Sequence, residues 1–176
     1  MKRRDLFIIG GMAIAGLLVP AVTRTPPGLL WNASASAPIG LYAVRPIRRP
    51  VRGVLLVITL PAPIARFAAE RHYLPLGVPL IKPVAATAGH TVCRADRTIT
   101  IDHRAIGRAL LSDGRGRSLP VWQGCRTLGP GEVFVMNAAV RDSFDGRYFG
   151  PLPTSAVLGR ARPLWTEPSP HSHPWS

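Results

Sequence analysis

Apolar positions in this chain come in short runs broken by Pro and Gly, and only one run is long. Residues 6–22 (LFIIGGMAIAGLLVPAV) carry no charge and follow Lys2, Arg3 and Arg4. A basic cluster ahead of an apolar stretch is the pattern of a secretory signal peptide or of one short transmembrane helix. At 1.5 Å per residue the run just reaches the lower limit for a hydrocarbon core of about 30 Å. Pro20 spoils the small-residue cleavage site that Val19 and Ala21 would otherwise offer, so an uncleaved anchor is favoured over a removed signal. Positive charge stays on the cytoplasmic side, which exports everything after Thr23. The expected organisation is a signal or membrane anchor at 1–23, an exported domain at 24–166, and a Pro-rich disordered tail at 167–176.

Within the exported body the pattern predicts strands at 42–45 and 54–60, the second (VLLVITL) buried on both faces. Residues 63–73 (PIARFAAERHY) have helical spacing, with Pro near the start and Ile64, Phe67, Ala68 and Tyr73 roughly on one face. An apolar extended segment follows at 78–88. Gly89-His90 then turns into 91–93, ahead of a hairpin at 97–101. Further strands are expected at 132–136 and 157–165. Residues 24–32 read as a Pro-rich link, 32–42 as a flexible small-residue segment, 104–130 as an irregular insertion and 142–153 as turns. With 19 Pro and 17 Gly in 176 residues, a helical bundle is excluded and a single, mainly β domain is expected.

Charge sharpens this picture in one place. There are 22 Lys+Arg against 9 Asp+Glu, a formal charge of +13, yet Lys2 and Lys82 are the only lysines. The arginines are scattered and no nucleic-acid-binding motif accompanies them, so no specific nucleic-acid partner is expected. Cys93 and Cys125 are too few for a disulfide scaffold or a four-thiolate zinc site. In an exported protein they are expected to pair, contributing about 3–4 kcal/mol by constraining the unfolded chain. His171 and His173 lack a third ligand nearby, and no metal or cofactor is called for. A Ser-His-Asp triad drawn from His72, His90 or His103 has no nucleophile elbow to support it.

Lys82 stands between Ile81 and Pro83 in an otherwise uncharged apolar stretch. Burial there would lower its pKa, which arginine could not exploit at any accessible pH. A neutral amine in an apolar strand is a general base, although an edge strand would let the same lysine snorkel to solvent. Ser34 and Ser36 offer hydroxyls just beyond the apolar segment, and a serine becomes nucleophilic only when a base takes its proton.

Three segments in order carry a resemblance. Residues 32–42 (NASASAPIGLY) resemble the nucleophile segment of the TraF-type conjugal transfer peptidases, the pilin-processing branch of the type I signal peptidases. Residues 79–86 (PLIKPVAA), continuing to Gly89-His90-Thr91-Val92, resemble the lysine box of that family. Residues 143–151 (SFDGRYFGP) resemble its last box. Gly146 stands where a serine is usual, His90 where Asp is common, and Val54 where an acidic residue is common.

The resemblance implies coiled antiparallel β-sheets of the signal-peptidase type behind an N-terminal transmembrane or signal helix. It also implies a Ser/Lys dyad, with Ser36 as nucleophile and Lys82 as base. The oxyanion hole would be the Ser36 N–H and the Ser34 hydroxyl, Ser143 would orient the lysine, and Asp145 and Arg147 would form a supporting pair. The implied activity is that of a membrane-associated serine endopeptidase cutting an exported precursor, with the conjugative pilin subunit as client. Its surroundings would be the inner membrane, with a periplasmic catalytic domain, and a conjugative type IV secretion apparatus. A general type I signal peptidase and a non-catalytic subunit of that complex are the alternatives.

Overall fold

The computed structural model describes residues 28–34 and 37–167. The expected anchor at 1–23, the tail beyond Glu167 with His171 and His173, and Ser36 itself lie outside the described residues.

Among the described residues, eleven strands form two antiparallel sheets. The larger has the order β1-β2-β11-β3-β4-β9-β10 and the smaller the order β7-β6-β5-β8. The larger is built from β1 (Leu29–Asn32), β2 (Gly40–Arg45), β3 (Leu55–Ile58), β4 (Leu80–Thr87), β9 (Glu132–Val135), β10 (Leu152–Pro153) and β11 (Val157–Thr166). Its long strand, β11, pairs with β3 and then with β2, slipping register at 157/159 and again at 163/165. Pro163, which cannot donate to a ladder, sits at the second irregularity, where a missing donor is tolerated. The mainly β expectation therefore holds, and the curled sheet is strand-rich throughout.

β4 lies between β3 and β9, with Leu56 opposite Lys82. Successive side chains of a strand face opposite ways. Leu80 and Val84 accordingly enter one core with Leu56, Ile58, Val133 and Val135, while Ile81 enters another with Tyr42, Val44 and Val57. Lys82 falls on the Leu80/Val84 face and is buried with 1% of its surface exposed. The edge-strand alternative for Lys82 is thus excluded.

The smaller sheet is a meander of β5 (Thr91–Ala95), β6 (Thr98–Ile101) and β7 (Arg104–Arg108), to which β8 (Gly124–Thr127) returns beside β5. Asp102 and His103 both adopt positive φ, 49° and 67°, as a two-residue type I′ hairpin requires. Cys93 and Cys125 face each other across β5 and β8 and form the expected disulfide.

Several expectations need correction. Residues 29–32 form an edge strand rather than a link, pairing with β2 so that Trp31 lies opposite Leu41. Trp31 stacks on Trp165 at 5.9 Å between ring centroids. The 104–130 stretch contains β7 and β8, and a bridge between Ser112 and Ser118 folds its middle back on itself. The helix α1 spans Ala62–Glu70, starting beside Pro61 and Pro63 and ending before His72, whose φ is 57°. It stops short of residue 73 because the left-handed His72 ends it, with Tyr73 N–H bonding back to Ala68 O at 2.8 Å.

Candidate active site

Lys82 projects from the middle of the sheet into a cavity of about 360 Å³. Leu74, Leu80, Leu110, Leu119, Phe144 and Tyr148 provide its apolar wall, and Ser34, Ser143 and Asp142 lie at its polar end. Lys82 Nζ donates to Ser143 Oγ at 2.8 Å. Burial pushes the Lys82 pKa down from 10.5 to about 8, and the Arg147 charge lowers it as well. The carboxylates of Asp145 and Asp142 oppose that shift but do not cancel it. The outcome is an amine that readily gives up its proton near neutral pH.

Ser143 is held by the segment that follows β9. Its N–H bonds to Val140 O at 3.3 Å, and Asn137 N–H donates to Asp145 Oδ2 at 3.0 Å. Asp145 caps the one-turn helix α2 (Gly146–Phe149) by accepting from Arg147 N–H. The Arg147 guanidinium returns to both Asp145 oxygens at 2.9 and 2.8 Å, and reaches the carbonyls of Asn137, Val140 and Arg141. One buried ion pair thus closes the loop on both sides of Ser143. Gly146 fits because a Cβ there would lie 2.6 Å from both Val135 O and Phe134 Cε2. The serine usual at this position has no room.

Ser34 is exposed at the mouth of the cavity, and its hydroxyl donates to Asn32 Oδ1 at 3.2 Å. Asn32, itself buried, donates to the carbonyls of Ser34, Ala37 and Pro38 at 2.9–3.0 Å. Tyr42 Oη also bonds Pro38 O, at 2.7 Å. The ends of the segment expected to be flexible are therefore pinned by Asn32 and Tyr42. His90, in place of the common Asp, bonds Asp102 Oδ2 at 2.6 Å, while Asp102 also accepts from Thr91 N–H. A carboxylate is present at this turn after all, supplied from the β6–β7 hairpin.

These features coincide with a match to the family model for signal peptidase, peptidase S26, over residues 3–165. The chain belongs to that family. Among relatives of this S26 member, a conjugal transfer protein TraF from Agrobacterium fabrum is 37% identical, covering 90% of this chain and 96% of the relative. Another from Agrobacterium tumefaciens strain 15955 is 35% identical over 93% and 97%. A plasmid transfer protein TraF from Escherichia coli is 30% identical over 92% and 89%. A crystal structure of signal peptidase I from Enterococcus faecalis V583 aligns over 65% of this chain and 97% of that one, with 20% identity and a TM-score of 0.37.

Of the expected site residues, Lys82, Ser143 and Ser34 line one cavity, and Asp145 and Arg147 buttress it. Sequence reasoning missed the opposite wall. There Tyr73 Oη donates to Asp113 Oδ2 at 2.6 Å, and Arg117 pairs with the same carboxylate at 2.7 Å. The tyrosine hydrogen bond, with help from Arg117 and backbone N–H groups, holds the Asp113 carboxyl well below the usual carboxylate range. This network docks the 111–119 turn against the aromatic cluster of Phe67, Tyr73, Phe144 and Tyr148. Arg94, counted among scattered basic residues, is buried and donates to Arg147 O at 2.5 Å. Among the described residues no group of three His, Cys, Asp or Glu could hold a metal ion.

Proposed function

We propose that this S26 peptidase is a membrane-anchored serine endopeptidase with a Ser36/Lys82 dyad that matures the pilin precursor of a conjugative apparatus. The reading is carried by one observation: Lys82 is a buried amine, aligned by Ser143 and depressed to a pKa of about 8. Neutral Lys82 takes the proton of the Ser36 hydroxyl while its oxygen bonds to the scissile carbonyl carbon. The tetrahedral intermediate then collapses, the peptide C–N bond breaks, and Lys82 returns the proton to the leaving amine. Water or another amine attacks the acyl-enzyme by the same route in reverse. Negative charge on the carbonyl oxygen is met by the Ser36 N–H and the Ser34 hydroxyl. Ser34 must turn from Asn32 to do this, and its N–H stays within 3.3 Å of Asn32 Oδ1.

The relatives' names, conjugal and plasmid transfer proteins, support the conjugative client. Among the described residues no helix is long and apolar enough to cross a membrane, so anchoring falls to residues 6–22. Leu29 and Trp31 on β1, the first strand after that segment, and Leu164 and Trp165 on β11 are exposed, and stacked indoles suit a membrane–water boundary.

Full-length Ser36→Ala, Lys82→Ala and Lys82→Arg variants, assayed on the pilin precursor by mass spectrometry, test the reading. Each is expected to lose about 10³-fold or more in rate. Lys82→Arg is decisive, since it keeps positive charge but cannot accept a proton. Wild-type maturation by all three would leave only a non-catalytic subunit. Equal processing of unrelated signal-bearing precursors would indicate a general signal peptidase.

A further inference from the structure

A second concavity, of about 290 Å³, lies on the other side of the segment that carries Ser143. Its wall brings together Arg97 from the β5–β6 turn, Arg108 from β7, and Arg141 and Arg147 from the 137–147 segment. It contains no Asp or Glu side chain. Arg147 is neutralised by Asp145, and Arg97 Nε is braced on Ala109 O at 3.2 Å. Arg108 and Arg141 are exposed. Arg117 and Arg126 have carboxylate partners, Asp113 and Glu132. Here three arginines from separate segments line one concavity with no carboxylate among its lining residues.

Like charges gathered in a concavity repel one another, and the focused field attracts anions. A carboxylate presents two oxygens and is satisfied by a single guanidinium fork. A tetrahedral oxyanion presents three or four and can engage several forks from different directions. We propose that this cavity is a phosphate-binding site, taking either inorganic phosphate or the phosphate of an anionic phospholipid headgroup. Arg97, Arg108 and Arg141 supply the charge, and buried Arg147 forms a rigid floor. The site is separate from the Lys82 cavity, and the claim stands or falls by binding alone.

Titration calorimetry of the full chain in nonionic detergent at low salt tests it. Inorganic phosphate should bind saturably at one site, and an Arg108→Gln/Arg141→Gln variant should weaken it at least tenfold. An Arg45→Gln/Arg162→Gln variant, equal in charge change but on the large sheet, should bind as the wild type does. Thermal melts establish that both variants fold. Micelles doped with phosphatidylglycerol, but not with phosphatidylcholine, should compete with phosphate if a headgroup is the natural occupant. Failure of phosphatidylglycerol to compete assigns the site to free phosphate. The proposal is overturned by heats that do not saturate or by equal weakening in both variants. It is also overturned by acetate binding as tightly as phosphate with the same arginine dependence, which would mark a site for acidic peptides.

Discussion

Two buried cations stand on either side of Ser143, and their surroundings differ in kind. Arg147 comes from the one-turn helix α2, where a carboxylate and three backbone carbonyls surround its guanidinium. Lys82 comes from the middle of a sheet, where leucine and valine surround it and Ser143 Oγ accepts its hydrogen bond. Both expose only 1% of their surface. Burial opposes the charge of each, but the partners of Arg147 more than offset it and raise its pKa, whereas Lys82 falls to about 8. The chain thus builds one cation to stay charged and hold a loop, and another to lose its charge and accept a proton. Burial alone distinguishes neither; the number of acceptors does.

The largest effect should come from breaking the satisfied partner. Asp145→Asn removes the carboxylate and leaves a buried guanidinium uncompensated, a change that typically costs about 3–5 kcal/mol. Denaturant unfolding should show that loss, with peptidase activity falling because Ser143 is no longer held. A cost below about 1 kcal/mol would mean that the carbonyls suffice and that the contrast between the two cations is overdrawn.

The opposite sign is expected at Lys82. Its pKa in the folded protein lies below the ordinary 10.5, so between pH 8 and 10.5 the unfolded chain binds more protons and stability rises with pH. At pH 7 that depression corresponds to a penalty of roughly 3 kcal/mol. Lys82→Met removes the penalty but also a hydrogen bond worth about 1 kcal/mol, for a net gain of about 2 kcal/mol. It should also abolish the rise of stability across pH 8–10.5. A Met variant less stable than wild type at pH 7 would show that the amine is well accommodated as a cation.

How much of this was legible in the sequence follows the same division. Lys82 stood out because a strand buried on both faces reads as an apolar run, and a single charge interrupts it. Strands β3, β4 and β9 were visible for the same reason. β1 was not, because it is an edge strand with Trp31 exposed and a proline-rich approach. Every residue of β8 is exposed, so no apolar alternation marked it; its pairing comes from the ladder to β5 and from Cys125. Ser143 and Lys82 are 61 positions apart, and no local pattern joins them; their pairing was foreseen only by resemblance to a family. The Tyr73–Asp113 bond, spanning 40 positions, matched none of the family segments and went unseen.

A smaller effect should follow at Ser143, whose hydroxyl accepts from Lys82. Ser143→Ala leaves the apolar surroundings intact, so the acid limb of the pH–rate profile, governed by deprotonation of Lys82, should remain near 8. The rate on that limb should still climb about tenfold per pH unit, since only the neutral amine is a base. The maximal rate should drop about tenfold or more, because an amine free to rotate spends less time aimed at its target. Ser143→Thr, which restores a hydroxyl, should recover part of it. A limb displaced far from 8 in the alanine variant would make Ser143 a tuner of proton affinity rather than a positioning residue.

The smallest effect tests whether Lys82 is as isolated as its neighbours suggest. Asp142 is exposed at the polar end of the cavity, and its charge raises the lysine pKa from a distance, behind Asp145 in strength. Asp142→Asn keeps the shape and removes the charge, so the acid limb should move to lower pH and the rate at pH 7 should rise by about twofold. Because Asp142 is open to solvent, the gain should shrink as salt is raised toward 1 M, where the Debye length falls to about 3 Å. A limb that stays put at low salt would mean that water already screens the lysine from every carboxylate except Asp145. A limb that moves the other way would mean that Asp142 acts through the position of its neighbour Ser143, and the environment of Lys82 would then be set by the loop as much as by the sheet.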